Sequence, residues 1–222
     1  MRTILLSILV MAFPFLAPTI SPNCCATLVT FDDLSETGSG SDFVFKYQGY
    51  EGLTWNDILC NNAILFTNVL AHLLYGISTN GLSGDYYGMV SSSNVISLGT
   101  GSEIDSSGTN FDFVSAYMTG YWRSNLNIEV QGFRGGTLIY DSTVVASAAN
   151  PTLFTFDFDD IDRVTFESSG GDDAGFGNPG NPGFIMDNMT FDFVPEPSSL
   201  LLAVFGALFL WPLLRRKRLD HP

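Results

Sequence analysis

Carboxylates are the most abundant reactive side chains in this sequence, with 23 Asp and Glu against nine Lys and Arg. Nucleophile-and-base chemistry has much less to work with. Of the two histidines, His221 stands next to the C-terminus and His72 lies in an apolar stretch, where a core or surface role is the commoner reading than a general base. The segment Gly76 to Gly81, "GISTNG", does not match the Gly-x-Ser-x-Gly nucleophile elbow. Cys60 has no surrounding motif that favours a reactive thiolate. "GTGSEI" from Gly99 lacks the third glycine of a dinucleotide loop. "FDFDDID", Phe156 to Asp162, matches a calcium loop only in part, because Ile161 replaces a ligand and no glycine or terminal Glu follows in place. The carboxylates leave a polysaccharide hydrolase open as an alternative, since spacing does not show which two face each other across a cleft. The expectation is a chain that is not an enzyme.

Sugar binding needs a different set: an exposed aromatic platform with polar groups beside it. Trp55 in "GLTWND", Tyr86-Tyr87 and Tyr121-Trp122 are candidates, with Asn56, Asp57 or Arg123 to fix hydroxyls. The competing reading places Trp55 and Trp122 in the core, where large aromatic side chains are mostly buried.

The elements that must position these residues read as strands. In "LNIEVQGF", Leu126, Ile128 and Val130 alternate with Asn127, Glu129 and Gln131; in "RVTFE", Val164 and Phe166 alternate with Arg163, Thr165 and Glu167. "FDFVSAYMT" from Phe111, "TLIYDSTVV" from Thr137, "LFTFDF" from Leu153 and "FIMDNMTFDF" from Phe184 are further strands. Turn signals separate them: Arg134-Gly135-Gly136, Asn150-Pro151 and the long "SSGGDDAGFGNPGNPG". Many short strands with polar turns predict an all-β, antiparallel β-sandwich over residues 27–193. The exception is residues 62–77, "NAILFTNVLAHLLYGI", whose apolar spacing fits a short helix or a buried loop.

Charge excludes one class of partner. Between Thr27 and Val194 stand 21 acidic residues against Lys46, Arg123, Arg134 and Arg163, a net charge of −17. Nucleic-acid affinity comes largely from Lys and Arg neutralising phosphates, so a nucleic acid is not an expected partner. Divalent cations and neutral ligands such as sugars remain compatible.

Both ends read as addresses. Arg2, an apolar stretch from Ile4 to about Leu16, and the small residues up to Ala26 form the layout of a secretory signal peptide over residues 1–26, with export through Sec and signal peptidase. The Cys24-Cys25 pair raises a lipoprotein signal as the competitor, but Ser21, Pro22 and Asn23 do not form a lipobox. Cleavage after Ala26 would leave Cys60 as the single thiol, so an internal disulfide is not expected. At the other end, residues 198–214 are uncharged, 17 residues and near the lower limit for a membrane-spanning helix. Arg215, Arg216, Lys217 and Arg218 follow directly and favour a cytoplasmic end.

Pro195-Glu196-Pro197, the apolar run and that basic cluster, in this order near the terminus, resemble the PEP-CTERM sorting signal of bacterial exported proteins. The resemblance covers residues 194–222 and implies processing near Pro-Glu-Pro by an exosortase, an integral-membrane cysteine protease. It further implies transient anchoring in the inner membrane and then a place at the cell surface or in the extracellular matrix. "VTFDDL", "YQGYEGLTWND", the segment from Ser115 to Val144 and "GFIMDNMTF" are similar to a recurrent domain of such proteins, itself similar to jelly-roll carbohydrate-binding modules. That second resemblance implies a jelly-roll-like sandwich flanked by a signal helix and a transmembrane helix. It also implies that the first and last strands are neighbours, where Asp32, Asp33 and Asp187 would hold a structural calcium ion; turn capping by these residues is the alternative. The function expected is a non-catalytic accessory role in the exopolysaccharide or biofilm layer, with a glycan-specific binding module, using Trp55, Tyr121 and Trp122, as the alternative. Asn188-Met189-Thr190 fits a glycosylation sequon but falls inside an expected strand.

Overall fold

The computed structural model describes residues 26–34, 44–45, 48–62, 84–91, 94–176 and 180–195. The expected signal segment up to residue 25, the apolar stretch after Asn62 and the tail beyond Pro195 lie outside the described residues, as do His72, Glu196, Pro197 and the basic cluster at 215–218. Among the described residues no helix is long and apolar enough to cross a membrane.

The described elements are β1 (Thr27–Val29), β2 (Val44–Phe45), β3 (Gln48–Tyr50), β4 (Leu53–Asn62), the short helix α1 (Gly84–Gly88), β5 (Asn94–Asp105), β6 (Phe111–Gly120), β7 (Arg123–Arg134), β8 (Thr137–Ala146), β9 (Thr152–Ile161), β10 (Arg163–Asp173) and β11 (Phe184–Phe193). Alternation predicts the burial well. Leu126, Ile128 and Val130 of β7 are buried while Asn127 is exposed, and Val164 and Phe166 of β10 are buried while Glu167 is exposed. A side-chain period of two presents one face of each strand to the core.

All pairings are antiparallel, along the order β8-β7-β10-β5-β11-β6-β9. The pairs nest: β7 with β8 innermost, then β6 with β9, β5 with β10, and β1 with β11 outermost. β5 is the corner. Its first half pairs with β11 and its second half with β10, and the change of partner falls at Gly99–Gly101. The sheet thereby folds over itself into a β-sandwich. Phe166 of β10 reaches across to Phe113 of β6 (6.2 Å between ring centroids) and Phe184 of β11 (5.7 Å), and Tyr140 of β8 stacks on Phe158 of β9 at 4.8 Å.

Local chemistry sets the turns and kinks. The β7–β8 hairpin closes through Gly135 and Gly136 alone, both at positive φ, the requirement of a two-residue turn whose twist matches the strands. Register shifts occur beside Asp57, Asp157, Asp160 and Asn188, all at φ near +50°. Asp and Asn tolerate that left-handed conformation better than other side chains, so they mark the bulges.

Candidate functional site

The first and last strands are neighbours: Thr27, Leu28 and Val29 pair with Phe191, Thr190 and Met189. The three acidic residues expected there are each engaged with a different part of the chain. Asp187 is fully buried in β11. Its carboxylate accepts the backbone N–H groups of Val90 (2.7 Å) and Ser91 (2.9 Å), the Ser91 hydroxyl (3.0 Å) and the Asn188 N–H (2.7 Å). Burial pushes its pKa above the ordinary carboxylate value, while these hydrogen bonds pull it back down. Asp32 Oδ1 accepts the Asn94 N–H at 3.2 Å. Asp33 Oδ1 accepts the Tyr50 hydroxyl at 2.7 Å, and burial together with that carboxylate holds the phenol protonated. Among the described residues no group of three or more His, Cys, Asp or Glu side chains comes together as a metal cluster. Asp187 thus fastens the 90–91 turn to the last strand, a capping role.

The aromatic candidates divide. Trp55 is 3% exposed; Phe31 meets it edge-on at 5.6 Å, Tyr50 packs at 6.0 Å, and its indole N–H donates to the Tyr50 carbonyl at 3.0 Å. It is a core residue and presents no platform, which corrects the expectation that a sugar stacks on it. Trp122 is 6% exposed, with its ring stacked against the half-buried Tyr121 at 4.6 Å. Trp122, so deeply buried, offers no open shelf for a glycan, while Tyr121 stays half-buried at its edge. At the same end of the sandwich Tyr87 stacks on Phe176 at 5.5 Å and meets Tyr86 edge-on at 5.7 Å, both within a half-buried patch. Of the polar helpers, Asn56 donates to Glu103 at 2.9 Å, Asp57 sits in an exposed bulge, and Arg123 donates to the Gly170 and Gly171 carbonyls. Asn188 is half-buried within β11.

The opposite end carries an arrangement that no linear motif announced. The β5–β6 turn, the β7–β8 turn and the β9–β10 junction converge on an open cleft of about 360 Å³ lined by Asp105, Gly108, Asn110, Gly136, Asp162 and Arg163. Asp162, the single residue between β9 and β10, joins all three. Its carboxylate accepts the Gly135 N–H, its own N–H donates to the Phe133 carbonyl (2.8 Å), and its carbonyl accepts the Ser106 N–H (3.0 Å) and hydroxyl (3.1 Å). Asp105 Oδ1 caps the Ser107 N–H at 2.6 Å. Asn110 donates to Asp160 Oδ1 at 2.6 Å, and Asp160 is ion-paired with Arg134 at 2.8 Å. The Arg163 guanidinium sits 4.5 Å above the Phe133 ring and 3.6 Å from Glu103. The polar side chains of the wall are therefore held by their neighbours, so their remaining polar groups are pre-placed for a ligand. Two carboxylates, one amide and one guanidinium at a turn-built cleft can accept and donate hydrogen bonds to several hydroxyl groups at once.

No protein-family profile matches this chain, and no curated protein does. Among solved structures the chain is similar to a DUF4465 family protein from Bacteroides ovatus ATCC 8483, with a TM-score of 0.39, 9% identity, and coverage of 76% of this chain and 94% of that one. It is also similar to TmCBM61 in complex with beta-1,4-galactotriose, with a TM-score of 0.30, 9% identity, and coverage of 65% and 88%. At these values neither likeness assigns a family or an activity.

Proposed function

We propose that this chain is an exported, non-catalytic surface protein whose jelly-roll sandwich holds a neutral, polyhydroxylated polymer of the extracellular matrix in the cleft at Asp105, Asn110, Asp162 and Arg163. The observation that carries the ligand reading is the cleft itself: an open volume of about 360 Å³ whose polar walls are fixed by three turns. Its size lies at the lower end of small-molecule sites, enough for one or two sugar rings of a chain passing over it. The nested antiparallel pairing supports the jelly-roll reading, an architecture that leaves its turn ends free to carry a site. The net charge of −17 on the body opposes uronic-acid polymers, which makes the ligand neutral rather than anionic.

Sorting belongs to the same proposal. An exosortase takes the chain by Pro195-Glu196-Pro197 while residues 198–214 and the cluster from Arg215 to Arg218 hold it in the inner membrane. The placement of Pro195 supports this: β11 ends at Phe193, the Val194 N–H donates to the Asn110 carbonyl at 2.9 Å, and Pro195 is exposed directly after it. A cut beyond Pro195 leaves every described strand intact.

Titration calorimetry with neutral and uronic-acid-rich polysaccharides tests the binding reading, using the parent, Arg163→Met and Asp105→Asn. Charge-assisted hydrogen bonds contribute about 1.5–3 kcal/mol, so each variant should lose roughly ten- to a hundredfold in affinity for the neutral polymer. Equal affinity in parent and variants, or preference for the anionic polymer, rejects the cleft as the site. The intact mass of native protein from cells with and without exosortase tests the sorting reading. Full-length protein in the membrane of both strains rejects it.

A further inference from the structure

We propose that β8 is a self-association edge, on which a second copy of this chain pairs antiparallel about a two-fold axis at Ser142. The strand order ends at β8, and among the described residues it pairs with β7 alone. Its ten residues, "TLIYDSTVVA", contain no proline and no Lys or Arg, the usual devices that keep an edge from pairing with another chain. Leu138, Ile139 and Val145 are 45%, 43% and 53% exposed, so three of the six exposed large apolar side chains among the described residues stand on this one strand. Thr137, Tyr140, Thr143 and Val144 fill four of the other seven positions, side chains that favour a pleated ladder.

The sequence of β8 selects the partner and the register. An antiparallel pair of identical edges is related by an axis normal to the sheet, so residues facing outward must oppose residues facing outward. On β8 these are Ile139, Asp141, Thr143 and Val145, alternating with the half-buried Tyr140, Ser142 and Val144. An axis at Asp141 sets two carboxylates directly opposite each other, which opposes pairing. An axis at Thr143 sets Val145 against Asp141. An axis at Ser142 puts Ile139 opposite the second copy's Val145 and Asp141 opposite its Thr143, with the same pairs repeated by symmetry. An axis at Val144 sets Thr143 against Val145 but pairs only Ser142 to Ala146, whereas the axis at Ser142 pairs Leu138 to Ala146, opposes exposed β-branched residues and separates the like charges.

Two copies whose bodies each carry −17 repel at long range, so the pairing must strengthen as salt is added. Sedimentation velocity on the full chain, in detergent at fewer than one chain per micelle, should show a dimer fraction that rises from about 0.01 M to about 0.3 M salt. Ile139→Lys should weaken the dimer about tenfold or more, with an unchanged circular dichroism spectrum. Cysteine scanning reads the register independently of stability. Directly opposed residues in an antiparallel pair lie about 4.5–5.5 Å apart at Cα, within disulfide reach, while residues two places out of register lie beyond it. Under mild oxidation, in a Cys24→Ser, Cys25→Ser background, Ser142→Cys should cross-link to a dimer, and the background chain and Asp141→Cys should not. A monomer at every salt concentration overturns the proposal. So do equal cross-linking at both positions and association that weakens with salt.

Discussion

Replacing Asp187 tests how the sandwich is closed. Its buried carboxylate accepts backbone N–H groups of Val90, Ser91 and Asn188 and the Ser91 hydroxyl, tying the turn after α1 to the last strand. Asp187→Ala leaves three backbone donors without an acceptor, while the Ser91 hydroxyl keeps the Thr30 carbonyl at 3.2 Å. An orphaned buried donor costs roughly 1–3 kcal/mol, and partial entry of water reduces the sum to about 3–5 kcal/mol. In a chain of this size each kcal/mol lowers Tm by about 2–4 °C, giving a fall of about 6–20 °C. Asp187→Asn keeps the shape and one acceptor oxygen but turns an amide N–H₂ toward other donors, so it should lose roughly half as much. The pH dependence follows from burial, which raises the folded-state pKa against the pull of the hydrogen bonds. Between the ordinary carboxylate value and that raised value the native state holds a proton the unfolded chain has released. The group's stabilising contribution is therefore complete below the ordinary value and is lost as pH rises through the folded one. Thermal unfolding by circular dichroism of the parent and both variants, from about pH 3 to about pH 8, measures both effects. The advantage of the parent over Asp187→Asn should shrink as pH rises. An Asp187→Ala Tm within about 2 °C of the parent at neutral pH would refute the fastening role. An advantage that grows with pH would show that the four hydrogen bonds outweigh burial.

Three other outcomes follow from the same contacts. Both Asp187 oxygens meet the positive ends of N–H and O–H groups, so excess EGTA should leave Tm within about 1 °C of its value; a large fall reversed by calcium would restore a calcium clip at Asp32, Asp33 and Asp187. A Cβ at Gly84 would lie 2.3 Å from the Gly120 carbonyl oxygen and 2.7 Å from the Tyr121 Cα, and backbone cannot yield as a flexible side chain does. Gly84→Ala should cost about 1–3 kcal/mol in urea unfolding, and an unchanged midpoint would count against this close approach. Trp55→Phe removes the hydrogen bond to the Tyr50 carbonyl and part of a core ring, for a loss of roughly 1–3 kcal/mol without change in polysaccharide affinity. Lost binding at unchanged stability would return the sugar platform to Trp55.

Alternation is a local property, and where it is strong the strands are legible in the linear sequence. β6 to β11 lie where "FDFVSAYMT", "LNIEVQGF", "TLIYDSTVV", "LFTFDF", "RVTFE" and "FIMDNMTFDF" place them, and Gly135-Gly136 marks its turn, because a residue's direction in a strand depends only on its neighbours. β4 and β5 are not legible as strands. β5 turns the corner between the two layers at Gly99–Gly101 and breaks its own alternation there. Trp55 is ambiguous in sequence because a tryptophan serves equally as core or platform, and only the arrival of Phe31 and Tyr50 against it settles which. Asp187 shows the same division: its type promises a ligand or a cap, and the Val90–Ser91 donors nearly a hundred residues away decide. The cleft is invisible in sequence altogether, since Asp105, Asn110, Gly136, Asp162 and Arg163 belong to three separate turns with no common spacing. Nested pairing brings those turns together, and pairing is chosen by burial summed over the whole chain. The sequence determined the acidity and the strands whose alternation is strong; the tertiary structure decided which side chains meet, because contact between distant residues exists only once the sheets close on each other.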